Sequence, residues 1–212
     1  SAIPYLKKYV SAVDRPEAST LYILGVSQYN QGEYRDAVES LRPVSDLDDA
    51  MGQSASLYIG QALMKVGDKD AALLAFDKAL RMNFDSAVQE AAYYNYAVAR
   101  FSGANIPFGS SVATFEAFLS RYPRSRYAPE VQEYIVDGYL TDRNFDQALA
   151  SINRMSDPSK KVLAAKQKVL YTLGASALAS GNPSTALVYL NDADALRSHN
   201  PEVADEVNLL IG

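Results

Sequence analysis

Apolar residues recur along the chain in steps of four and three, which lays them on one stripe of an α-helix. No segment reads as a strand and no long linker interrupts the pattern. Twelve helices are predicted, near 3–11, 17–30, 34–44, 49–65, 69–81, 86–102, 110–121, 127–141, 145–154, 158–180, 183–197 and 201–211. Pro16, Pro129, Pro158, Pro183 and Pro201 fall at predicted helix starts, where a missing N–H costs nothing.

Two kinds of helix alternate. Helix A carries a small residue inside an apolar pattern: Gly25, Gly60, Ala97, Gly138, Gly174 and Gly212, spaced 35, 37, 41, 36 and 38 residues apart. Helix B carries a small residue, a large apolar residue four later and another apolar residue three after that. The sets are Ala37/Leu41/Val44, Ala72/Phe76/Ala79, Ser111/Phe115/Phe118, Ala148/Ile152/Met155 and Ala186/Leu190/Ala193. From the first anchor to the second the intervals are 12, 12, 14, 10 and 12. Gly32, Gly67 and Gly181 each stand seven residues past a first anchor, where a left-handed residue ends helix A. The third and fourth hairpins lack that glycine, and theirs are the intervals that depart from 12. The anchors are small because two helices approach to about 8–10 Å only where side chains permit.

Self-similarity at this period resembles the tetratricopeptide repeat family. The best matches are Leu21–Val44, Leu57–Leu80 and Leu170–Ala193; the middle repeats are weaker, with Ala97 for glycine, a turn lengthened by GANIPFGSS, and a closing proline clear only at Pro123. The resemblance implies an all-α, right-handed superhelix of five full repeats with half a repeat at each end, one solenoid domain over residues 1–212. Ile3 and Leu6 at one end, and Leu209, Leu210 and Ile211 at the other, are unlike the polar caps of a finished array. The chain is therefore expected to be a fragment of a longer repeat protein, the alternative being a short protein with frayed ends.

In this family the A helices line a concave groove that binds a protein or peptide. Carrying the ligand-facing positions over residue by residue gives Tyr22, Val26 and Tyr29; Leu57, Gln61 and Met64; Tyr94, Val98 and Phe101; Tyr139 and Arg143, preceded by Gln132 and Ile135; and Tyr171. The set is rich in tyrosine, which buries a ring while keeping its hydroxyl wet; about half of these rings are expected instead to fill space between A helices. No pair among these positions matches the lysine/asparagine clamp with which some members hold a chaperone C-terminal carboxylate, so no such activity is expected. Phe115–Leu140 has a further resemblance, carried by Tyr122-Pro123, Ser125 and Ala128-Pro129. It is similar to repeats of the bacterial outer-membrane assembly lipoprotein and the Tol-Pal coordinator, which implies a periplasmic or cell-envelope protein; a cytoplasmic location is the alternative.

Composition narrows the chemistry. Among 212 residues there is no cysteine and one histidine, His199, which removes thiolate chemistry and any multi-histidine metal site. The net charge of -5 disfavours nucleic acid as partner. Arg121, Arg124 and Arg126 beside Tyr122 and Tyr127 are read as a solvated loop pairing with nearby carboxylates, with RNA binding as the alternative. Asp46, Asp48 and Asp49 lack the glycine and distal glutamate of a calcium loop and are read as a solvated helix start. No transmembrane segment, catalytic residue, cofactor or metal is expected. The function implied is a non-catalytic interaction scaffold, the alternative being an accessory segment of a larger enzyme or signalling protein.

Overall fold

A computed structural model describes residues 2–102 and 108–211, with side chains described over 2–102 and 112–211. The turn at 103–107, the side chain of Ser111 and the Gly212 anchor lie outside the described residues. Those residues form twelve helices and no strand. They fall into two compact units, 1–106 and 107–212.

The first unit holds α1 (Ile3–Ala12), α2 (Ala18–Asn30), α3 (Tyr34–Ser45), α4 (Ala50–Val66), α5 (Lys69–Arg81) and α6 (Ser86–Phe101). The second holds α7 (Phe108–Arg121), α8 (Ala128–Thr141), α9 (Phe145–Arg154), α10 (Lys160–Ala179), α11 (Pro183–Asp194) and α12 (Pro201–Ile211). Even-numbered helices are type A and odd-numbered ones type B. Side-chain caps fix several starts: Asp49 accepts from the Gly52 N–H at 2.8 Å, Asp68 from Ala71 at 3.1 Å and Asp85 from Ala87 at 2.8 Å. Asp49 thus opens α4, the solvated-start reading, while Asp46 pairs with Lys78 at 2.8 Å.

The B-helix stripes are the core. Ala37, Leu41, Val44, Ala72, Phe76, Ala79, Phe115, Phe118, Ala148 and Ala186 are fully buried. Each anchor glycine makes room for its own hairpin's large B residue. A Cβ on Gly25 would overlap Leu41, one on Gly60 would overlap the Phe76 ring, and one on Gly174 would sit 2.8 Å from Leu190 Cγ. The separation is sixteen residues in all three pairs.

Four hairpins turn by the same geometry. Gly32, Gly67 and Gly181 have φ of 80°, 87° and 74°. Arg143, with φ 54°, takes the same place in the fourth hairpin. Its N–H donates to the Leu140 carbonyl and the Asn144 N–H to that of Tyr139, matching Gly32 to Tyr29 with Glu33 to Gln28. From this left-handed residue to the second anchor the count is five in every case: 32 to 37, 67 to 72, 143 to 148 and 181 to 186.

That constancy corrects the predicted register of the fourth hairpin. Counting back sixteen from Ile152 reaches Val136, not Gly138. Val136 and Ile152 are both 2% exposed and share one core cluster with Val162. The interval from Val136 to Ala148 is then 12, the regular value. The predicted interval of 10 arose from choosing the glycine. Here a valine serves as the A-helix anchor, and β-branched Ile152 stands where its counterparts are leucine or phenylalanine.

Candidate functional site

The predicted partner surface lies on the A helices, and each unit presents its own part. In the first unit Tyr22, Val26 and Tyr29 of α2 are half-buried and pack against the core built around Leu41 and Ile59. Tyr58 of α4 meets Tyr22 edge-on at 6.4 Å and Tyr29 at 5.4 Å, and Tyr29 meets Tyr34 at 5.5 Å. These are the edge-to-face contacts that ring quadrupoles favour. Burial pushes the Tyr22 hydroxyl above its ordinary pKa, with a Ser54 hydrogen bond working the other way, and burial does the same to Tyr29. Gln61, Met64, Tyr94, Val98 and Phe101 are half-buried, whereas Leu57 is buried in the core at 9% exposure. Tyr58, which joins the rings of α2 to α4, escaped the carried-over positions; its signal in the sequence was only its presence one residue from Leu57.

In the second unit the register correction decides what faces where. A shift of two residues rotates a helix by about 200°. The positions predicted from Gly138 therefore sit on nearly the opposite side of α8. Gln132 and Ile135 are 7% and 1% exposed. Tyr139 turns toward the B helices, its hydroxyl donating to Glu116 Oε1 of α7 at 3.0 Å; burial, then that hydrogen bond, raises its pKa. Arg143 lies beyond the end of α8, exposed, in the turn. Neither Tyr139 nor Arg143 is on the A-helix face in the corrected register. Shifted back by two, that face carries Glu130, Glu133 and Asp137. Lys161 of α10 donates to Glu133 at 3.1 Å and lies 3.8 Å from Asp137. Tyr171 of α10 is half-buried, its pKa raised by burial and by Glu206.

Buried glutamines organise the hairpins, a feature the sequence reading missed. Seven residues before their anchors, Gln53 and Gln167 are fully enclosed. Gln53 Nε2 donates to the carbonyls of Ala79 and Met82 at 3.1 and 2.9 Å, and its Oε1 accepts from Phe84 and Asp85 at 3.2 and 2.8 Å. The loop that opens α6 is thereby held by one side chain of α4. Gln167 exchanges two hydrogen bonds with the Asn200 backbone, at 3.0 and 2.9 Å.

His199 sits in the turn after α11. Among the described residues no three His, Asp or Glu side chains gather as a metal site, and no helix is long and apolar enough to cross a membrane. In the arginine loop, Arg121 and Arg126 lie over the rings of Tyr122 and Tyr127, at 5.4 and 4.7 Å from the centroids.

Stacked antiparallel helix pairs with glycine-seated B helices define a helical-repeat protein. A tetratricopeptide repeat family model matches residues 22–87 and 57–105. Solved structures share the fold. A TPR repeats protein from Bacteroides fragilis is 18% identical, covering 92% of this chain and 98% of that one, with a TM-score of 0.62. A tetratricopeptide repeat protein from Parabacteroides merdae is also 18% identical, covering 100% of this chain and 77% of that one, with a TM-score of 0.50. At such identity the likeness is one of fold. No curated protein matches the chain in sequence. The tetratricopeptide repeat model thus covers residues 22–105, and the fold class of the described residues is all-α helical repeat.

Proposed function

We propose that the chain is a non-catalytic scaffold that holds a protein or peptide partner on its A-helix faces, in a bacterial cell envelope. One observation carries the reading: the A-helix face of the first unit is built of half-buried tyrosines braced ring against ring. Such rings are already ordered before a partner arrives, so docking costs little side-chain entropy. The envelope location rests on Phe115–Leu140, where α7 ends just before Tyr122-Pro123 and α8 opens at Ala128-Pro129. The test is a pull-down from bacterial envelope and cytosolic extracts with the chain and its Tyr22→Ala/Tyr94→Ala/Tyr171→Ala variant. The expected result is a protein captured from the envelope extract by the unaltered chain and lost by the variant, with circular dichroism showing the same helix content. A variant that keeps both its helicity and every captured protein overturns the groove reading; capture from cytosol alone overturns the location.

A further inference from the structure

Charge is nearly absent from the paired A helices α2 and α4 of the first unit. The thirteen residues of α2 include no Asp, Glu, Lys or Arg, and the seventeen of α4 include only Lys65, in the last turn. Charged residues make up 21% of the whole chain. A charged peptide laid across α2 and α4 would thus leave its charges without partners, whereas a neutral one loses nothing there.

What these helices offer instead is rings and donors. Tyr58 stands between Tyr22 and Tyr29, with centroids at 6.4 and 5.4 Å. Tyr22 and Tyr29 are seven residues apart, hence on one side of α2 and about 10 Å apart along its axis. The Tyr29 and Tyr58 hydroxyls have no hydrogen-bond partner among the described residues, and neither oxygen is enclosed. The same holds for the side-chain amide of Gln61, three residues on from Tyr58 and half-buried. Three groups able to donate therefore reach solvent among aromatic rings.

Backbone shape selects the partner. A helical peptide spends its carbonyls on its own hydrogen bonds and has no use for such donors. A strand needs a sheet edge, and the described residues form no strand. A polyproline II segment leaves every carbonyl outward, and its turn of three residues advances about 9 Å, close to the spacing of Tyr22 and Tyr29. Proline brings no N–H, so a proline-rich chain supplies acceptors and apolar rings, the complement of this face.

We propose that the α2–α4 face takes an uncharged, proline-rich segment of a partner protein in the polyproline II form. Its prolyl rings lie against Tyr22, Tyr58 and Tyr29, and its carbonyls accept from the Tyr29 and Tyr58 hydroxyls and the Gln61 amide. The proposal rests on the scaffold reading and names what the partner presents.

The experiment is an NMR titration of the whole chain with four capped peptides: decaproline, a glycine/serine decapeptide, a stapled leucine/glutamine helix and a lysine/glycine decapeptide. Saturable shifts are expected with decaproline at the Tyr58 backbone amide and the Gln61 side-chain amide, with the other three peptides at least tenfold weaker. Tyr58→Leu should weaken decaproline roughly tenfold, the usual scale for loss of a central aromatic anchor. Tyr29→Phe keeps the ring, removes one donor and should weaken it about threefold. Leu74→Ala, on the exposed side of α5, should change nothing, and circular dichroism should show equal helix content throughout. Equal or tighter binding of the helix or the lysine peptide, no saturable shift with decaproline, or Tyr29→Phe and Tyr58→Leu both binding as the unaltered chain does overturns the proposal. Partner capture from extracts without decaproline binding overturns this inference alone; decaproline binding without capture upholds it and sinks the envelope partner.

Discussion

The second and fourth hairpins solve the same packing problem in opposite ways. In α4–α5 the space between helices is opened by removing a side chain, and the Phe76 ring fills it against Gly60. In α8–α9 the A helix keeps a side chain, Val136, and the B helix brings the β-branched Ile152. The turn differs likewise, glycine at 67 and arginine at 143, with the same left-handed backbone. The outer chemistry follows the same division: rings in the first unit, carboxylates on α8 in the second. A repeat therefore keeps the geometry of the corner, while the residue types at the turn and at the anchor remain open.

Exchanging the anchors is the strongest way to break this comparison. Gly60→Val forces a branched side chain into the Phe76 ring, and overpacking of this kind should cost about 3 kcal/mol. Val136→Gly leaves a void against Ile152 and loosens the helix, at about 2–4 kcal/mol. Both are read from urea midpoints. If Val136→Gly proved stabilising, Gly138 would regain its claim as anchor.

Next come the glutamines. Gln53→Leu removes four hydrogen bonds around 79–85, with Gln89 still donating to the Met82 carbonyl, and should cost about 2–3 kcal/mol; Gln167→Leu removes two at Asn200, whose carbonyl keeps the Ala204 N–H, and should cost about 1–2 kcal/mol. Equal losses would show that the number of hydrogen bonds does not set the difference between the units. A smaller effect of opposite sign is expected from Arg143→Gly, which relieves a left-handed arginine and should stabilise by about 0.5–1 kcal/mol in thermal melts.

The smallest effect is in pH. Tyr22, Tyr29 and Tyr139 have folded pKa values raised above the ordinary 10.0, by burial first in each case. Their contribution is fully present below 10.0 and is lost as the pH rises through the folded values. Tyrosinate absorbance should therefore appear above pH 10.0 together with loss of helix. Tyr22→Phe should lessen that coupling, and a variant with the unaltered profile would remove Tyr22 from the account.

Much of this fold is legible in the sequence because it is written in B-helix spacing. Leu41, Phe76 and Leu190 were found by four-and-three steps, and all three are buried against small anchors that the same spacing picked out. The fourth hairpin was misread because Gly138 looked like an anchor two residues from the true one, and no local rule says that valine can serve. That slip carried Tyr139 and Arg143 onto a face they do not occupy and hid Glu130, Glu133 and Asp137 from it. The Tyr58 contacts depend on which neighbours arrive from other helices, which periodicity along one chain does not encode.

The Gln53 amide spans a joint: it belongs to one hairpin and grips the first residues of the next. Gln167 does this again between α10 and α12. The fourth hairpin has Pro129 at that place, seven before Val136, and makes its joint to α10 through Ser159 and Lys161 on Glu133 instead. Stretched mechanically, the second unit should part first between α9 and α10, where exposed ion pairing stands in for an enclosed amide.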